Sequence, residues 1–170
     1  MAKALGQLIQ GLGKLSTLEL MSVSHSRDQP TVELGSIMDE LRILLASTCD
    51  ESGIELDWPV VDDLPMVTAE RYGLMQVFLN LVKNFRRAME HSMHKRLRVE
   101  NLVGARSVEI RLKDTGPGIA NLQLLFRPFQ RGGLLVSRAL MRSFGGDLVH
   151  ELSPEGCCFA VILPKAEQER

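Results

Sequence analysis

The feature that most limits the possible folds of this chain is a strand-like run that ends on an acidic residue and two spaced glycines. Residues 106–113, RSVEIRLK, alternate as a half-buried strand does, and DTGPG follows with Asp114, Gly116 and Gly118. A carboxylate at the end of a strand can accept a hydrogen bond from an exocyclic amine, and glycines let the main chain approach a planar base. Because DTGPG also suits an ordinary loop, a nucleotide pocket and a plain turn both fit this stretch.

Periodicities on either side of this run predict an α+β fold. The segments with helical spacing of apolar residues are 32–49, 65–90 and 134–144. The strand-like segments are the one after residue 51, 97–103, 106–113 and the two that flank the Pro-Glu-Gly turn at 154–156. Thr68 is the expected cap of the second helix. We expect a two-layer α/β sandwich with the helices on one face of a mixed, mostly antiparallel sheet.

Residues 1–21 show a different pattern from the rest of the chain. Apolar residues recur there at spacings of three, four and three, as in a heptad repeat, at Leu5, Leu8, Leu12 and Leu15. The pattern predicts a helix that packs either on its own domain or against a second copy in a homodimer. Residues 22–30 are polar and end in proline, so they predict a linker before a domain at 31–166 and a tail at 167–170.

Charge and cysteine content exclude some classes of function. The 20 basic and 21 acidic residues give a net charge of −1, so no overall field would recruit nucleic acid or an anionic membrane. The three cysteines are an odd number, and the adjacent Cys157 and Cys158 are poorly placed to pair, which favours a reducing, cytoplasmic setting. No apolar run approaches the roughly 20 residues of a membrane span.

The second predicted helix carries a polar stripe. Spacings of four and three place Asn80, Asn84 and Arg87 on one side of it, together with Ala88. An amide oxygen is a hard ligand that suits Mg²⁺, and a guanidinium suits phosphate oxygens. A solvated helix face that carries ordinary arginines is the alternative. The pair Gly132-Gly133 before the next helix adds a start at which backbone N–H groups can meet phosphate.

The order of these pieces resembles one known family. The stretches LMQVFLNLVKNFRRAM, DTGPGIA, LFRPFQ and GGLLVSRALMRSFGGDLVHELSPEGCCFAVILP look like the N-box, the glycine boxes and the phenylalanine box of the ATP-binding catalytic domain of sensor histidine kinases. The resemblance covers about residues 32–164 and implies the Bergerat fold, which gyrase, Hsp90-type and MutL-type ATPases share. LGQLIQGLGKLSTLEL more weakly resembles the end of the dimerisation hairpin of these kinases.

The resemblance implies a role for each of eight residues. Asp114 would accept a hydrogen bond from the adenine amine, with Gly116 and Gly118 lining the base. Asn84 would chelate the Mg²⁺ of the bound triphosphate, and Asn80 would lie beside the phosphates. Three further positions would meet the phosphates, namely Arg87 in place of the usual lysine, and Gly133 and Leu134 as the second half of a Gly-x-Gly-Leu motif.

The chain also departs from the family pattern. Arg131 stands where the first glycine of that motif is expected, and the lid after Phe129 is nearly absent. Phe85 replaces a small residue and would either intrude on the pocket or fill the core. No stretch matches the phosphoacceptor helix, and His25, His91 and His94 are expected to be surface residues.

The resemblance therefore implies an ATP- and Mg²⁺-binding catalytic domain that donates the γ-phosphate to a histidine outside this chain. Its partners would be a histidine-bearing dimerisation domain and a response regulator, and its location would be cytoplasmic or the cytoplasmic portion of a membrane-bound sensor. A degenerate kinase-like module that serves in docking or phosphotransfer is the alternative. A gyrase-like ATPase is disfavoured, because Asn80 stands where a water-activating glutamate is required.

Overall fold

The computed structural model describes residues 29–118 and 133–167, in which three helices pack on one face of a five-stranded sheet. The helices are α1 (Leu34–Glu51), α2 (Arg71–Ala88) and α3 (Leu134–Ser143). The strands are β1 (Thr31–Glu33), β2 (Glu55–Asp57), β3 (Met66–Thr68), β4 (Arg96–Val103), β5 (Ser107–Asp114), β6 (Asp147–Glu151) and β7 (Cys158–Pro164).

The main sheet has the strand order β2-β4-β5-β7-β6. Only β2 and β4 run parallel, and the other three pairs are antiparallel. Strands β1 and β3 form a separate antiparallel pair, and Lys165 bridges to Val67 on the other side of β3. The predicted α+β sandwich with a mixed, mostly antiparallel sheet is therefore confirmed.

The alternation of β5 decides which face of the sheet is buried. Val108, Ile110, Leu112 and Asp114 are buried against the helices, whereas the residues between them are half-buried on the opposite face. Helices α1 and α2 supply the facing layer with apolar stripes that include the fully buried Phe78. Asp114 is thus the polar last member of an otherwise apolar row, and it faces the helical layer.

Two details at the starts of α1 and α2 differ from the predictions. Residues 31–33 form strand β1 and not the first turn of α1, because they pair with β3. Thr68 ends β3 and is not the cap of α2, so that prediction was wrong. The cap is Glu70, whose carboxylate accepts hydrogen bonds from the N–H groups of Tyr72 and Gly73 at 2.9 and 2.7 Å.

Several predictions fall on residues outside the described ranges, namely the helix at 1–21, most of the linker at 22–30, the shortened lid with Arg131, and His25. Within the described ranges, no helix is long and apolar enough to cross a membrane. The three cysteines are free and buried. Burial raises the pKa of Cys157 to about 12 and that of Cys158 to about 11, so both thiols stay protonated at neutral pH.

An ion cluster joins the end of α3 to the start of β6. The Asp147 carboxylate accepts two hydrogen bonds from the Arg138 guanidinium, at 2.9 and 3.2 Å, and further ones from Arg142 and the Leu148 N–H. Burial of the carboxylate raises its pKa, but the hydrogen bonds from Arg138, the Leu148 N–H and Arg142 outweigh burial and lower the pKa from 3.8 to about 2. The cluster fixes α3 against the edge strand of the sheet.

We expect Asp147→Asn to lower the free energy of unfolding by about 1–2 kcal/mol at neutral pH. A carboxylate whose pKa is lowered by folding stabilises the protein above 3.8, and this stabilisation is lost as the pH falls through about 2. The difference between variant and wild type in denaturant titrations should therefore shrink near pH 2. Asp39→Asn, which breaks an exposed pair with Arg42, is the control and should change little. A difference that does not depend on pH would contradict this role.

Candidate functional site

The carboxylate of Asp114 is held by main-chain groups on one side only. Its Oδ1 accepts hydrogen bonds from the N–H groups of Gly116 at 2.8 Å and Cys157 at 3.0 Å. Its Oδ2 is buried and has no hydrogen-bond partner among the described residues. Asp114 is only 3% exposed, so this acceptor atom is withdrawn from water without a hydrogen bond from any described residue.

Burial is the main influence on the charge of Asp114. It raises the pKa of the carboxyl above the usual value, and the hydrogen bonds from Gly116 and Cys157 lower it by a smaller amount. A folded protein that carries a carboxyl with a raised pKa is most stable at low pH and loses that stability as the carboxyl ionises. A donor that reached Oδ2 would reverse this cost, and an exocyclic amine is such a donor.

Two glycines bring the turn after Asp114 close to α2 and to the β6–β7 turn. A Cβ added at Gly116 would lie 3.3 Å from the carbonyl oxygen of Ala88, at the end of α2. Gly118 has a φ of +77°, and a Cβ there would lie 3.0 Å from the carbonyl oxygen of Gly156. This end of the site is therefore lined by main chain, as the approach of a planar base requires.

The other end of the site lies at the start of α3. Gly133 is the N-cap residue with a φ of +70°, and a Cβ there would lie 2.9 Å from Asn80 Nδ2. Gly133 has no side chain with which to cap the first N–H groups of α3, and the first turn, which begins at Leu134, carries no acidic residue. The start of helix α2, in contrast, is capped by the Glu70 carboxylate. Of these two helix starts, that of α3 is the one open to an anion.

The polar stripe of α2 connects the two ends. Asn80 lies at the Gly133 end and Ala88 at the Gly116 end, about 12 Å apart along the helix at 1.5 Å per residue. Asn84 lies between them and is half-buried, and Arg87 is exposed. An elongated ligand with a base at one end and an anionic tail at the other fits this arrangement.

The donor set decides whether a metal ion fits. No group of three or more histidine, cysteine, aspartate or glutamate side chains in the described ranges could hold one. The amide oxygens of Asn80 and Asn84 are hard donors, and Mg²⁺ is commonly held by few protein ligands together with substrate phosphates. The residues present therefore fit a Mg²⁺ ion that arrives with a phosphate ligand, and they do not fit a free-standing metal site.

The structure shows the positions of Phe85 and of two of the predicted surface histidines. Phe85 is 2% exposed, and its ring lies 6.0 Å from that of Phe159 at an angle of 59°. It fills the core between α2 and β7, so the predicted alternative of intrusion into the pocket is wrong. His91 and His94 are exposed, as predicted.

Sequence reasoning missed three residues that shape the site. Ser137 is buried in α3 and accepts a hydrogen bond from Asn80. Gly156 and Cys157 form the wall behind Asp114, where a Cβ at Gly156 would overlap the Asp114 carbonyl oxygen and Oδ1. Gly156 was recognised only as part of a turn. The alternation of apolar residues in β5 and β7 predicts two strands but not how they pair. The observed pairing of Lys113 with Cys158 is what brings Cys157 opposite Asp114.

The chain is similar to known proteins in sequence and in structure. Residues 69–167 match the family described as histidine kinase-, DNA gyrase B-, and HSP90-like ATPase. Sensor protein FixL of Bradyrhizobium diazoefficiens is 29% identical over 158 residues, which cover 86% of this chain and 31% of FixL. The chain therefore spans about a third of the length of that relative.

Solved structures of low sequence identity share the fold. The catalytic domain of histidine kinase ThkA in a nucleotide-free form has a TM-score of 0.69 at 24% identity, with 81% of this chain and 96% of that chain covered. Histidine kinase ThkA in complex with response regulator protein TrrA has a TM-score of 0.69 at 21% identity, with 96% of this chain and 51% of that chain covered.

We expect Gly156→Ala to lower the free energy of unfolding by about 3 kcal/mol or more. The variant combines a backbone at φ +61° with an overlap on Asp114. Gly53→Ala is a matched control, because Gly53 has a φ of +64° but open space around its Cβ position, so only the backbone cost of about 1–2 kcal/mol applies. Denaturant titrations of both variants measure the difference. Equal losses would show that Gly156 does not press on Asp114.

Proposed function

The chain belongs to the histidine kinase-, DNA gyrase B- and HSP90-like ATPase family, and from that premise we propose that it binds ATP with Mg²⁺ and donates the γ-phosphate to a histidine of another domain. The observation that carries the proposal is the buried Oδ2 of Asp114, which lacks a hydrogen-bond partner among the described residues. The similarity to a sensor kinase, FixL, favours histidine phosphorylation over the other activities of the family.

The base end of the site fits adenine. Oδ2 of Asp114 would accept a hydrogen bond from the exocyclic amine of adenine, while Oδ1 stays bound to the N–H groups of Gly116 and Cys157. Guanine has a carbonyl oxygen at the corresponding position and would place an acceptor against an acceptor. Gly116 and Gly118 would line the base.

The phosphate end uses main-chain donors and the stripe of α2. The N–H groups of the first turn of α3, from Leu134 onward, would bind phosphate oxygens, with Gly133 supplying no side-chain cap and allowing the close approach. Asn84 would hold the Mg²⁺ ion, which when bound neutralises charge on the phosphates. Asn80 would lie beside the phosphates, and Arg87, which makes no ion pair with any described residue, would contact them from solvent.

Catalysis in this arrangement is positioning. A neutral imidazole nitrogen attacks the γ-phosphorus, the bond from phosphorus to the bridging oxygen of ADP breaks, and the imidazole then loses its other proton to water. No general base is needed in this domain, because the imidazole is itself the nucleophile. The contribution of the chain is to hold the triphosphate with its γ-phosphate facing the incoming histidine.

An apolar surface at the phosphate end supports docking of a histidine-bearing hairpin. Leu79, Leu135 and Val136 are 43%, 40% and 52% exposed; Leu79 adjoins Asn80 in sequence, and Leu135 and Val136 follow Leu134 in the first turn of α3. Exposed aliphatic side chains around a reactive site are typical of a surface that is covered by a partner. We propose a dimerisation domain as that partner, with a homodimer formed through residues 1–21. By analogy with the ThkA–TrrA complex, a cytoplasmic response regulator is the proposed final phosphate acceptor.

We expect Asp114→Asn to reverse the base preference while the fold survives. Rotating the new amide to put its oxygen on the ligand would sacrifice both main-chain hydrogen bonds to Oδ1, so Nδ2 takes the place of Oδ2. A donor then faces the adenine amine, and ATP affinity should fall roughly ten- to a hundredfold, whereas GTP affinity should rise.

Calorimetric titration of wild type and variant with MgATP and MgGTP measures both effects, and thermal melts without nucleotide check the fold. Asp114→Ala is a less suitable probe, because it also removes the acceptor of two main-chain N–H groups and should destabilise the protein. Unchanged ATP affinity in a folded Asp114→Asn protein would contradict the proposed base pocket. Failure of the wild type to bind MgATP would favour the docking module instead.

We expect Val136→Gln to slow phosphoryl transfer to a histidine-bearing hairpin supplied in trans by roughly tenfold, because an apolar contact is lost. The substitution adds no charge near the phosphates, so ATP affinity should stay within about twofold. Ile43→Gln on α1, 73% exposed, is the control and should leave transfer unchanged. Acid-labile label on the hairpin measures the rate, with the chain alone as blank. Equal rates for Val136→Gln and wild type would remove this surface from the docking site.

A further inference from the structure

A hydrogen bond between α2 and α3 crosses the phosphate end of the site. Asn80 Nδ2 donates to Ser137 Oγ at 3.2 Å. Ser137 is 1% exposed and is one of three buried polar side chains in the described residues, together with Thr68 and Asp114. A buried hydroxyl that faces a ligand-binding residue calls for an explanation beyond packing, since alanine fits the same space without a polar atom.

The amide group of Asn80 is enclosed on its donor side. Its Nδ2 lies against Gly133, where an added Cβ would come within 2.9 Å of the nitrogen. Ser137 is tied to the same residue, because its N–H donates to the carbonyl oxygen of Gly133 at 2.8 Å. Gly133 and Ser137 therefore form a notch in the first turn of α3 that receives the nitrogen of the amide.

The orientation of the amide determines what Asn80 offers to a ligand. With Nδ2 engaged by Ser137, the carbonyl oxygen Oδ1 is the end of the amide that is left for the ligand. An oxygen acceptor suits Mg²⁺ or its bound water and repels a phosphate oxygen. A reversed amide would offer N–H donors to phosphate and nothing to the metal.

We propose that Ser137 is a positioning residue that fixes the Asn80 amide with its oxygen toward the metal side of the site, so that Asn80 acts with Asn84 on Mg²⁺ and does not donate to phosphate. This inference rests on the proposed function and deepens it. The contact of Asn80 with Gly133 and Ser137 joins the Asn80 amide to the first turn of α3, whose N–H groups would bind phosphate. The affinity gained from Mg²⁺ therefore depends on a hydroxyl that touches neither metal nor nucleotide.

The test is the ratio of the ATP dissociation constants measured in EDTA and in excess Mg²⁺. Ser137→Ala frees the amide to turn, and we expect the ratio to fall about five- to tenfold. Adenosine, which has no phosphates, should bind the variant as it binds wild type. Asn80→Ala should give a similar fall, and the double variant should show no further loss, because both substitutions remove the same interaction.

Two variants control for a merely structural role. Ser143→Ala removes an exposed hydroxyl of the same helix and should leave the ratio unchanged. Ser137→Cys keeps the shape of the side chain with a somewhat larger atom and a weak acceptor, so it should give an intermediate ratio and serves as the probe where Ser137→Ala melts too low for titration. Thermal melts without nucleotide accompany each titration.

An unchanged ratio in a folded Ser137→Ala or Ser137→Cys protein would overturn the role of Ser137, and so would an equal loss of adenosine binding. Additive losses in the double variant would overturn it as well. If the wild type binds no MgATP, the proposed function fails and this inference fails with it. Wild-type binding with an unchanged ratio in the variants refutes only the inference.

Discussion

The antiparallel pairing of β5 with β7 is the interaction on which the rest of the structure depends. Its register sets Lys113 opposite Cys158, so the residue before β7 comes to lie beside the last residue of β5. The main-chain N–H of Asp114 then donates to the carbonyl oxygen of Cys157, and the Cys157 N–H donates to the Asp114 carboxylate. A slip of one residue would turn the apolar row of β5 to the other face and carry Asp114 away from α2.

The local periodicity of apolar residues predicts most of the helices and strands, but it does not predict the contacts between them. The alternation of RSVEIRLK predicted β5 and its buried face, and the spacing of apolar residues predicted α2 with Phe85 among them. The contacts of Ser137 with Asn80 and of Gly156 with Asp114 join residues 57 and 42 positions apart, which no local period reports. The sequence favours Thr68 as the helix cap because threonine is a preferred N-cap residue and glutamate is not, and only the pairing with β1 assigns Thr68 to a strand.

The two ends of the site illustrate two ways in which a fold prepares a binding surface. At the Asp114 end, a buried carboxylate is kept with one oxygen hydrogen-bonded and the other withdrawn from water, and this burial raises its pKa. At the Gly133 end, α3 begins on a glycine, which has no side chain to cap the first N–H groups of the helix. Both features cost stability in the absence of a ligand, and both lie beside α2, the first near Ala88 and the second near Asn80.

The bridge from Lys165 to Val67 has a consequence for how this domain combines with others. Strand β1 pairs with one side of β3, and residue 165 meets its other side, so residues 31–33 and residue 165 flank a single strand and lie about 10 Å apart. Closely spaced ends of this kind permit a domain to be inserted into, or appended to, unrelated chains with short joints. Segments joined before residue 31 and after residue 165 would thus start from neighbouring points beside β3.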